Sequence, residues 1–379
     1  MGTPERKKVY VGMSGGVDSS VAAALLLREG YEVVGAFMKN WSDTKDPATG
    51  NCAWRKERED AQAVADKLGI PLVTFDFEQD YRLEVVDYMV REYESGRTPN
   101  PDVMCNRRIK FGLFMQEALA QGADYVATGH YARIARAGSG KREAGCIDAS
   151  KKAAYSLQLP ASSYVLMAGV DSNKDQSYFL HTMTQEQLSR TLFPVGHIKK
   201  AEVRALAREF GLPVADKKDS QGICFIGHVN LGEFLERAIV PKKGPIVTTD
   251  GCVVGVHRGI APYTIGQRHG LGIGDAMPHF VVEKDRARNT LVVARGENPD
   301  ELYSSELTAK DMHWIAVEPA ASMKCKARIR YRQPLEDCAV SIGDSCVQVK
   351  FDRPQRAIAP GQFVVFYDGD SCLGGGVII

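Results

Sequence analysis

Seven residues near the start of the chain, Ser14-Gly15-Gly16-Val17-Asp18-Ser19-Ser20, constrain what it can fold into more than any other segment. They lie between a short apolar run, Val9 to Met13, and an alanine- and leucine-rich stretch, Ser19 to Arg28, that reads as a helix. A glycine turn joining a strand to a helix aims unpaired backbone N–H groups and the helix dipole at one point, which favours an anion. The glycines let the chain approach phosphate oxygens, and the hydroxyls of Ser14, Ser19 and Ser20 add donors. A phosphate is expected there. No GxxxxGK[ST] pattern occurs in the sequence, so cleavage at a γ-phosphate is not the indicated chemistry.

The alternation continues. Glu32 to Met38 reads as a second strand, and Ala61, Val64, Ala65 and Leu68 fall on one helical face that Gly69 and Pro71 stop. Pro71 to Phe75 reads as a third strand, Phe111, Phe114, Met115 and Ala118 as a helical face, and Asp124 to Thr128 as a buried strand. This order predicts an α/β domain with a parallel sheet covered on both faces. Residues Ala137 to Lys152, rich in Gly, Ser, Lys and Arg, read as a surface insertion, and a further helix carries Val203, Leu206, Ala207 and Phe210. After about Gly222 short β-branched runs take over, among them Cys252 to Val256, Phe280 to Glu283 and Leu291 to Val293. A chain of 379 residues exceeds one hydrophobic core. The expected division is a catalytic domain over 1–222, a small mixed linker domain over 223–301 and a compact β-barrel over 302–379.

Composition narrows the setting. No apolar run is long enough to span a bilayer, and Met1 to Lys8 is short and polar, so a cytoplasmic protein with no membrane partner is expected. Nine cysteines with no CxxC spacing fit neither a disulfide scaffold nor a zinc ribbon. A net charge of +1 leaves any nucleic-acid partner to local patches.

Two cysteines stand in unusual settings. Cys105 lies in Asn100-Pro101-Asp102-Val103-Met104-Cys105-Asn106, where Pro99 and Pro101 impose an extended approach and Asp102 can cap the following helix. Cys105 would then occupy the first helical turn, with Arg107, Arg108 and Lys110 nearby, and both effects favour a thiolate. Cys224 sits in a basic, turn-prone stretch, Lys217 to Phe225. The remaining thiols read as small buried hydrophobes at Cys325, Cys338, Cys346, Cys252 and Cys372, and as loop residues at Cys52 and Cys146. His130 reads as structural.

The glycine loop is similar to the PP-loop of the N-type ATP pyrophosphatases, which cut ATP between the α and β phosphates and leave AMP on a carbonyl oxygen. Together with Met38 to Trp41 (MKNW), NPDVMCN, Gly129 to Arg133 (GHYAR), Ser172 to Leu180 (SNKDQSYFL), KKDSQGICFIG and Thr264 to Gly274 (TIGQRHGLGIG), it occurs in the order found in the bacterial tRNA-specific 2-thiouridylase family. The chain resembles that family over nearly its whole length. The resemblance implies ATP contacts at Gly12, Met13, Ser14, Gly15, Gly16, Val17, Asp18, Ser19, Met38 and Gly129. It implies that Cys224 carries a persulfide whose terminal sulfur goes to C2 of an adenylated wobble uridine, that Cys105 is the partner thiol with which a disulfide can form, and that Asp102 is an acid/base group at the target base. It implies tRNA contacts at Asn100, Pro101, Asp102, Lys174, Asp175, Gln176, Arg330 and Tyr331. ATP is the expected substrate, with magnesium, no dedicated protein metal site and no prosthetic group. The expected partners are the tRNAs for lysine, glutamate and glutamine, and a cysteine desulfurase or sulfur-relay protein. The sequence departs from the family pattern in a longer stretch from Ala137 to Gly169 and in Gln221, where threonine is common.

In the C-terminal region Met323, Cys325, Ala327, Ile329 and Tyr331 alternate with Lys324, Lys326, Arg328, Arg330 and Arg332. Period two predicts an apolar face and a face of five aligned cations suited to phosphates, which Lys217, Lys218, Lys242 and Lys243 can extend. The competing assignments are another PP-loop adenylating synthetase or amidotransferase with a nitrogen nucleophile and no thiol chemistry, and an RNA-binding or nucleotide-sensing module without turnover.

Overall fold

The computed structural model describes residues 6–42, 52–137, 163–218, 231–275, 277–319 and 321–379. Cys146, Gln221, Cys224 and most of the stretch read as an insertion lie outside the described residues. The first sheet holds β1 (Lys8–Gly12), β2 (Glu32–Lys39), β3 (Leu72–Asp76), β4 (Tyr125–Ala127) and, after β5 (Ala132–Arg136) and β6 (Tyr164–Ala168) have left for another sheet, β7 (Thr191–Leu192). Its order is β3-β2-β1-β4-β7 and every pairing is parallel.

Strand period two sends alternate residues to two cores. Val9, Val11, Val33 and Phe37 face the core shared with α1 (Val17–Arg28), α2 (Ala53–Leu68) and a later helix that carries Val203 and Ala207. Tyr10, Val34, Ala36 and Met38 face the core built with the helical segments α3 (78–94) and α4 (101–120). The later helix is α5 (Lys200–Glu209). Gly69 ends α2 in the left-handed region at φ 67°, the stop that the sequence indicates.

After α6 (Leu231–Ala238), a second sheet of order β10-β11-β8-β9 joins β8 (Gly244–Thr248), β9 (Val253–His257), β10 (His279–Asp285) and β11 (Thr290–Arg295). The third sheet runs β12 (Tyr303–Trp314), β15 (Val347–Arg356), β14 (Glu336–Ile342), β13 (Ser322–Arg328), β16 (Phe363–Asp368), β17 (Ser371–Ile378) and closes by pairing β12 with β17. The fold class is the expected one: a parallel α/β domain, a small mixed domain and a closed barrel.

The barrel is not independent of the first domain. β5 and β6 extend its sheet through Ser371 and Cys372, which pair with Met167 and Leu166. The core over Tyr10 and Met38 runs on without a break to Phe363, Val365 and Tyr367. Barrel and first sheet therefore share one apolar interior, which fixes their mutual position.

Candidate nucleotide and thiol site

The glycine loop leaves β1 and turns into α1 at Val17, two residues earlier than the apolar pattern suggests. Gly16 is the N-cap and offers no side-chain cap, so the first N–H groups of α1 stay available to an anion. Gly15 has φ 68°, and a Cβ there would run into the carbonyl of Glu57. The Oγ atoms of Ser19 and Ser20 donate to the carbonyl of Gly16 at 3.2 and 2.8 Å, and the Ser14 N–H donates to Ser19 Oγ at 3.3 Å. These bonds fix the shape of the loop at the start of α1.

The other residues assigned to ATP gather around it. The Met38 methyl lies 3.1 Å from where a Gly12 Cβ would stand. A Cβ on Gly129 would come within 2.6 Å of the backbone of Asp18 and Ser19, so glycine is required where the end of the fourth strand meets α1. Asp18 Oδ1 accepts from Tyr131 Oη at 2.7 Å and from Lys200 Nζ at 2.6 Å. Lys217 Nζ donates to the Gly15 carbonyl at 2.9 Å and to Asp60 Oδ2 at 2.7 Å. Two lysines thus reach a loop that has none of its own.

Lys200 gave no signal in the sequence, because its partner lies 182 positions away. Lys217 was expected in a surface patch with Lys218. The structure corrects this: Lys218 is exposed, while Lys217 turns inward to Gly15 and Asp60.

The second candidate segment runs from Thr98 to Cys105. Here the helix cap differs from expectation. Asn100, not Asp102, is the N-cap: its Oδ1 accepts from the Val103 N–H at 3.3 Å, and Pro101 takes the first helical position, where its missing N–H costs nothing. Counting from that cap, Cys105 begins the second turn rather than lying in the first, and it opens a stretch of wide, π-type helix, Cys105–Leu113. Cys105 is fully buried in the core beside Val103 and Ile109, whereas Asp102 is partly exposed.

Three domains converge on this approach. Gln362 of the barrel donates through Nε2 to the carbonyls of Thr98 and Pro99 at 2.9 and 3.0 Å, and the Thr98 N–H donates to the Pro360 carbonyl at 2.8 Å. Thr98 Oγ1 donates to Thr264 Oγ1 of the middle domain at 3.2 Å. Gln362 had no motif to announce it.

The residues assigned to tRNA are each held by a different neighbour. The Asn106 amide donates to the Phe179 carbonyl at 3.3 Å, and the rings of Phe179 and Tyr331 lie 4.5 Å apart. Gln176 exchanges bonds with Tyr131, its N–H donating to the Tyr131 carbonyl and its Oε1 accepting from the Tyr131 N–H. Lys174 is half-buried beside them. The Asp175 carboxylate points inward, accepting from the N–H groups of Gly169 and Ser177 and pairing with Arg328 at 3.3 Å.

That pairing also corrects the expected row of five cations. β13 ends at Arg328, which is buried between Asp175 and the Tyr367 ring. Arg330 turns its guanidinium to the carbonyls of Ile265 and Ala357 at 3.0 and 2.8 Å, and burial lowers its pKa. Arg332 has φ 65°, outside any strand. Lys324 and Lys326 alone keep the strand-side arrangement. The period-two pattern fails because a buried carboxylate and two free carbonyls capture cations that alternation assigned to solvent.

His130 is buried against Lys110, with Thr128 Oγ1 at 2.7 Å from Nδ1 and Lys110 Nζ at 3.4 Å from Nε2. An ammonium only donates, so Nε2 accepts and the ring is neutral with its proton on Nδ1. Burial and the neighbouring Lys110 hold its pKa well below the ordinary histidine value.

Three protein-family models together match most of the chain. A protein-family model described as the tRNA methyl transferase HUP domain matches residues 7–228, one described as the tRNA methyl transferase PRC-barrel domain matches 232–295, and one described as the aminomethyltransferase β-barrel domain matches 304–378. The chain is 48% identical to the tRNA-specific 2-thiouridylase MnmA of Geobacillus thermodenitrificans over 99% of its own length and 95% of that protein. It is 49% identical to the protein of the same description from Shouchella clausii, over 99% of this chain and 97% of the other. Among solved structures, a 4-thiouridine synthetase–RNA complex with bound ATP overlaps with a TM-score of 0.37 at 17% identity, covering 62% of this chain and 50% of that one. With near-half identity from end to end, the protein belongs to the tRNA-specific 2-thiouridylase (MnmA) family.

Proposed function

We propose that this protein is an ATP-dependent tRNA sulfurtransferase that forms 2-thiouridine at the wobble position. The observation that carries the reading is the end-to-end identity with tRNA-specific 2-thiouridylases, from the glycine loop through the barrel. A uridine carbonyl oxygen is a poor leaving group, and adenylation converts it to AMP, which a sulfur nucleophile can displace. In this reading the triphosphate lies on the loop from Gly12 to Ser19 with Met38 and Gly129 at the nucleoside end. Lys200 and Lys217 release their carboxylate partners to neutralise phosphate charge, in place of the lysine that a Walker loop carries. Magnesium would accompany the triphosphate, and Asp18 is the one carboxylate within the loop to meet it.

The target base is assigned to Asn100, Pro101 and Asp102, with Asp102 moving the proton. Cys224 brings the persulfide, and Cys105 attacks its inner sulfur as the outer one is delivered, so that Cys105 and Cys224 end as a disulfide. Because Cys105 is buried, delivery requires the helix from Pro101 to shift or the approaching base to open the core over it. Lys174, Gln176, Arg330 and Tyr331 hold the RNA, while Asp175 acts by fixing Arg328. The substrates are the tRNAs for lysine, glutamate and glutamine, and the sulfur comes from a cysteine desulfurase directly or through carriers.

The test is a reaction of ATP, unmodified tRNA and a persulfide donor, read by mass spectrometry of digested nucleosides. Cys224→Ser and Cys105→Ser should each abolish 2-thiouridine while tRNA-dependent pyrophosphate release continues. Full thiolation by both variants would reject the roles given to Cys105 and Cys224, and pyrophosphate release with no 2-thiouridine even from the intact protein would favour a nitrogen-nucleophile synthetase.

A further inference from the structure

Two cysteines that the proposed reaction does not use face each other in the barrel. Cys325 on β13 and Cys338 on β14 are register partners in an antiparallel pair, so their side chains leave the same face of the sheet. Their Sγ atoms are 3.7 Å apart. Cys338 is buried among Ala327, Val340 and Phe351, whereas Cys325 is half-buried and can be reached from outside. The sequence pattern presents both as isolated core residues, because 13 positions separate them and no motif joins them.

We propose that Cys325 and Cys338 form a reversible dithiol–disulfide site, oxidised by small-molecule disulfides and separate from Cys105 and Cys224. A disulfide bond measures about 2.05 Å, so the sulfurs must close by roughly 1.7 Å. The backbone allows this. β13 pairs with β16 only from Lys326 onward, so Ser322 to Cys325 is held by β14 alone and can lean toward it.

The chemistry balances in two exchanges. Cys325, the accessible thiol, gives up its proton and attacks one sulfur of the small disulfide, forming a mixed disulfide and releasing one small thiol. Cys338 then attacks the Cys325 sulfur, the Cys325–Cys338 bond forms, and the second small thiol leaves. Two protein thiols are oxidised and one small disulfide is reduced to two thiols. The hydrogen bond to Cys338 and burial both raise the pKa of Cys325, so the first exchange is slow. The second has its nucleophile already in contact, so the mixed disulfide does not accumulate.

The experiment incubates the folded protein with oxidised glutathione, quenches in acid, alkylates, and cleaves at glutamate under non-reducing conditions. Exposed Cys252, in the turn before β9, serves as the control that the oxidant has acted. The expected product is an intramolecular Cys325–Cys338 peptide lighter by two hydrogens, in a monomeric chain, with glutathione on Cys252 and complete reversal by dithiothreitol. Cys325→Ser should lose the linked peptide and leave Cys338 alkylatable, with Cys252 still modified. The proposal is overturned if Cys252 acquires glutathione while Cys325 and Cys338 both remain alkylatable, if each carries its own adduct, or if the link joins two chains.

Discussion

The glycine loop and the approach to Cys105, the two segments that the proposed reaction uses, are built by opposite means. The loop's internal bonds join neighbours in sequence, Ser14, Gly16, Ser19 and Ser20 within one turn, and the residues that reach it from farther along, Tyr131, Lys200 and Lys217, belong to the same α/β domain. The segment from Thr98 to Pro99 has its carbonyls and N–H captured by Pro360 and Gln362, more than 260 positions away, and its hydroxyl by Thr264. The loop can therefore form once the first sheet is folded, whereas the segment from Thr98 is fully bonded only when all three domains are in place.

Breaking the loop should have the largest effect. Gly15→Ala forces a side chain into a left-handed backbone position and against the Glu57 carbonyl. Pyrophosphate release and thiolation should fall together by about a thousandfold, equal to about 4 kcal/mol, beyond a loss of stability of about 1–3 kcal/mol from the strained position, with the folded fraction checked by thermal unfolding. If thiolation fell and pyrophosphate release did not, the loop would not be the nucleotide site.

Arg328→Met removes the buried partner of Asp175, whose side chain is 3% exposed. An unpaired buried carboxylate should cost about 3 kcal/mol of stability, seen as a lower midpoint in denaturant unfolding. Adding Asp175→Asn should recover part of it. A single variant as stable as the parent would show that the ion pair is not what joins the barrel to the segment from Lys174 to Gln176.

Acid should loosen the same junction. His181 is buried, with Nδ1 donating to the Tyr178 carbonyl at 2.7 Å and its ring 4.9 Å from that of Phe363. Burial lowers its pKa from 6.5 to about 4, against a smaller rise from the Tyr178 bond. The unfolded chain takes up this proton near pH 6.5 and the folded one only near pH 4. The stability contribution is therefore full above pH 6.5 and lost as pH falls towards 4, by up to about 3 kcal/mol. Unfolding of His181→Gln across that interval should show a shallower dependence on pH, and an unchanged slope would place the acid sensitivity elsewhere, His130 being the next buried candidate.

Gln362→Ala gives the smallest and most discriminating effect. Releasing the Thr98 and Pro99 carbonyls should lower thiolation about tenfold, near 1.4 kcal/mol, with ATP binding unchanged. An equal loss in ATP affinity would mean that the two segments are coupled rather than separately built.

The same contrast explains what the sequence discloses. The loop is legible because motif, strand and helix lie in one stretch of chain, and Val9, Tyr10 and Val11 alternate between two cores as period two requires. The capping of α4 is misread because Asn100 and Asp102 are both good cap residues, and the choice depends on Pro101 taking the first helical position. Arg328 and Arg330 are misread because alternation carries no information about Asp175 or the carbonyls of Ile265 and Ala357. Lys200, Gln362 and the contact between Cys325 and Cys338 arise from tertiary pairing alone.

The most direct test of the functional account is stoichiometric: count pyrophosphate released and 2-thiouridine formed in one reaction of the intact protein with ATP, tRNA and a persulfide donor. The account predicts one pyrophosphate and one AMP for each 2-thiouridine, and no thiolation without ATP. Thiolation that proceeds without ATP, or a methylated nucleoside in place of the thiolated one, would contradict it.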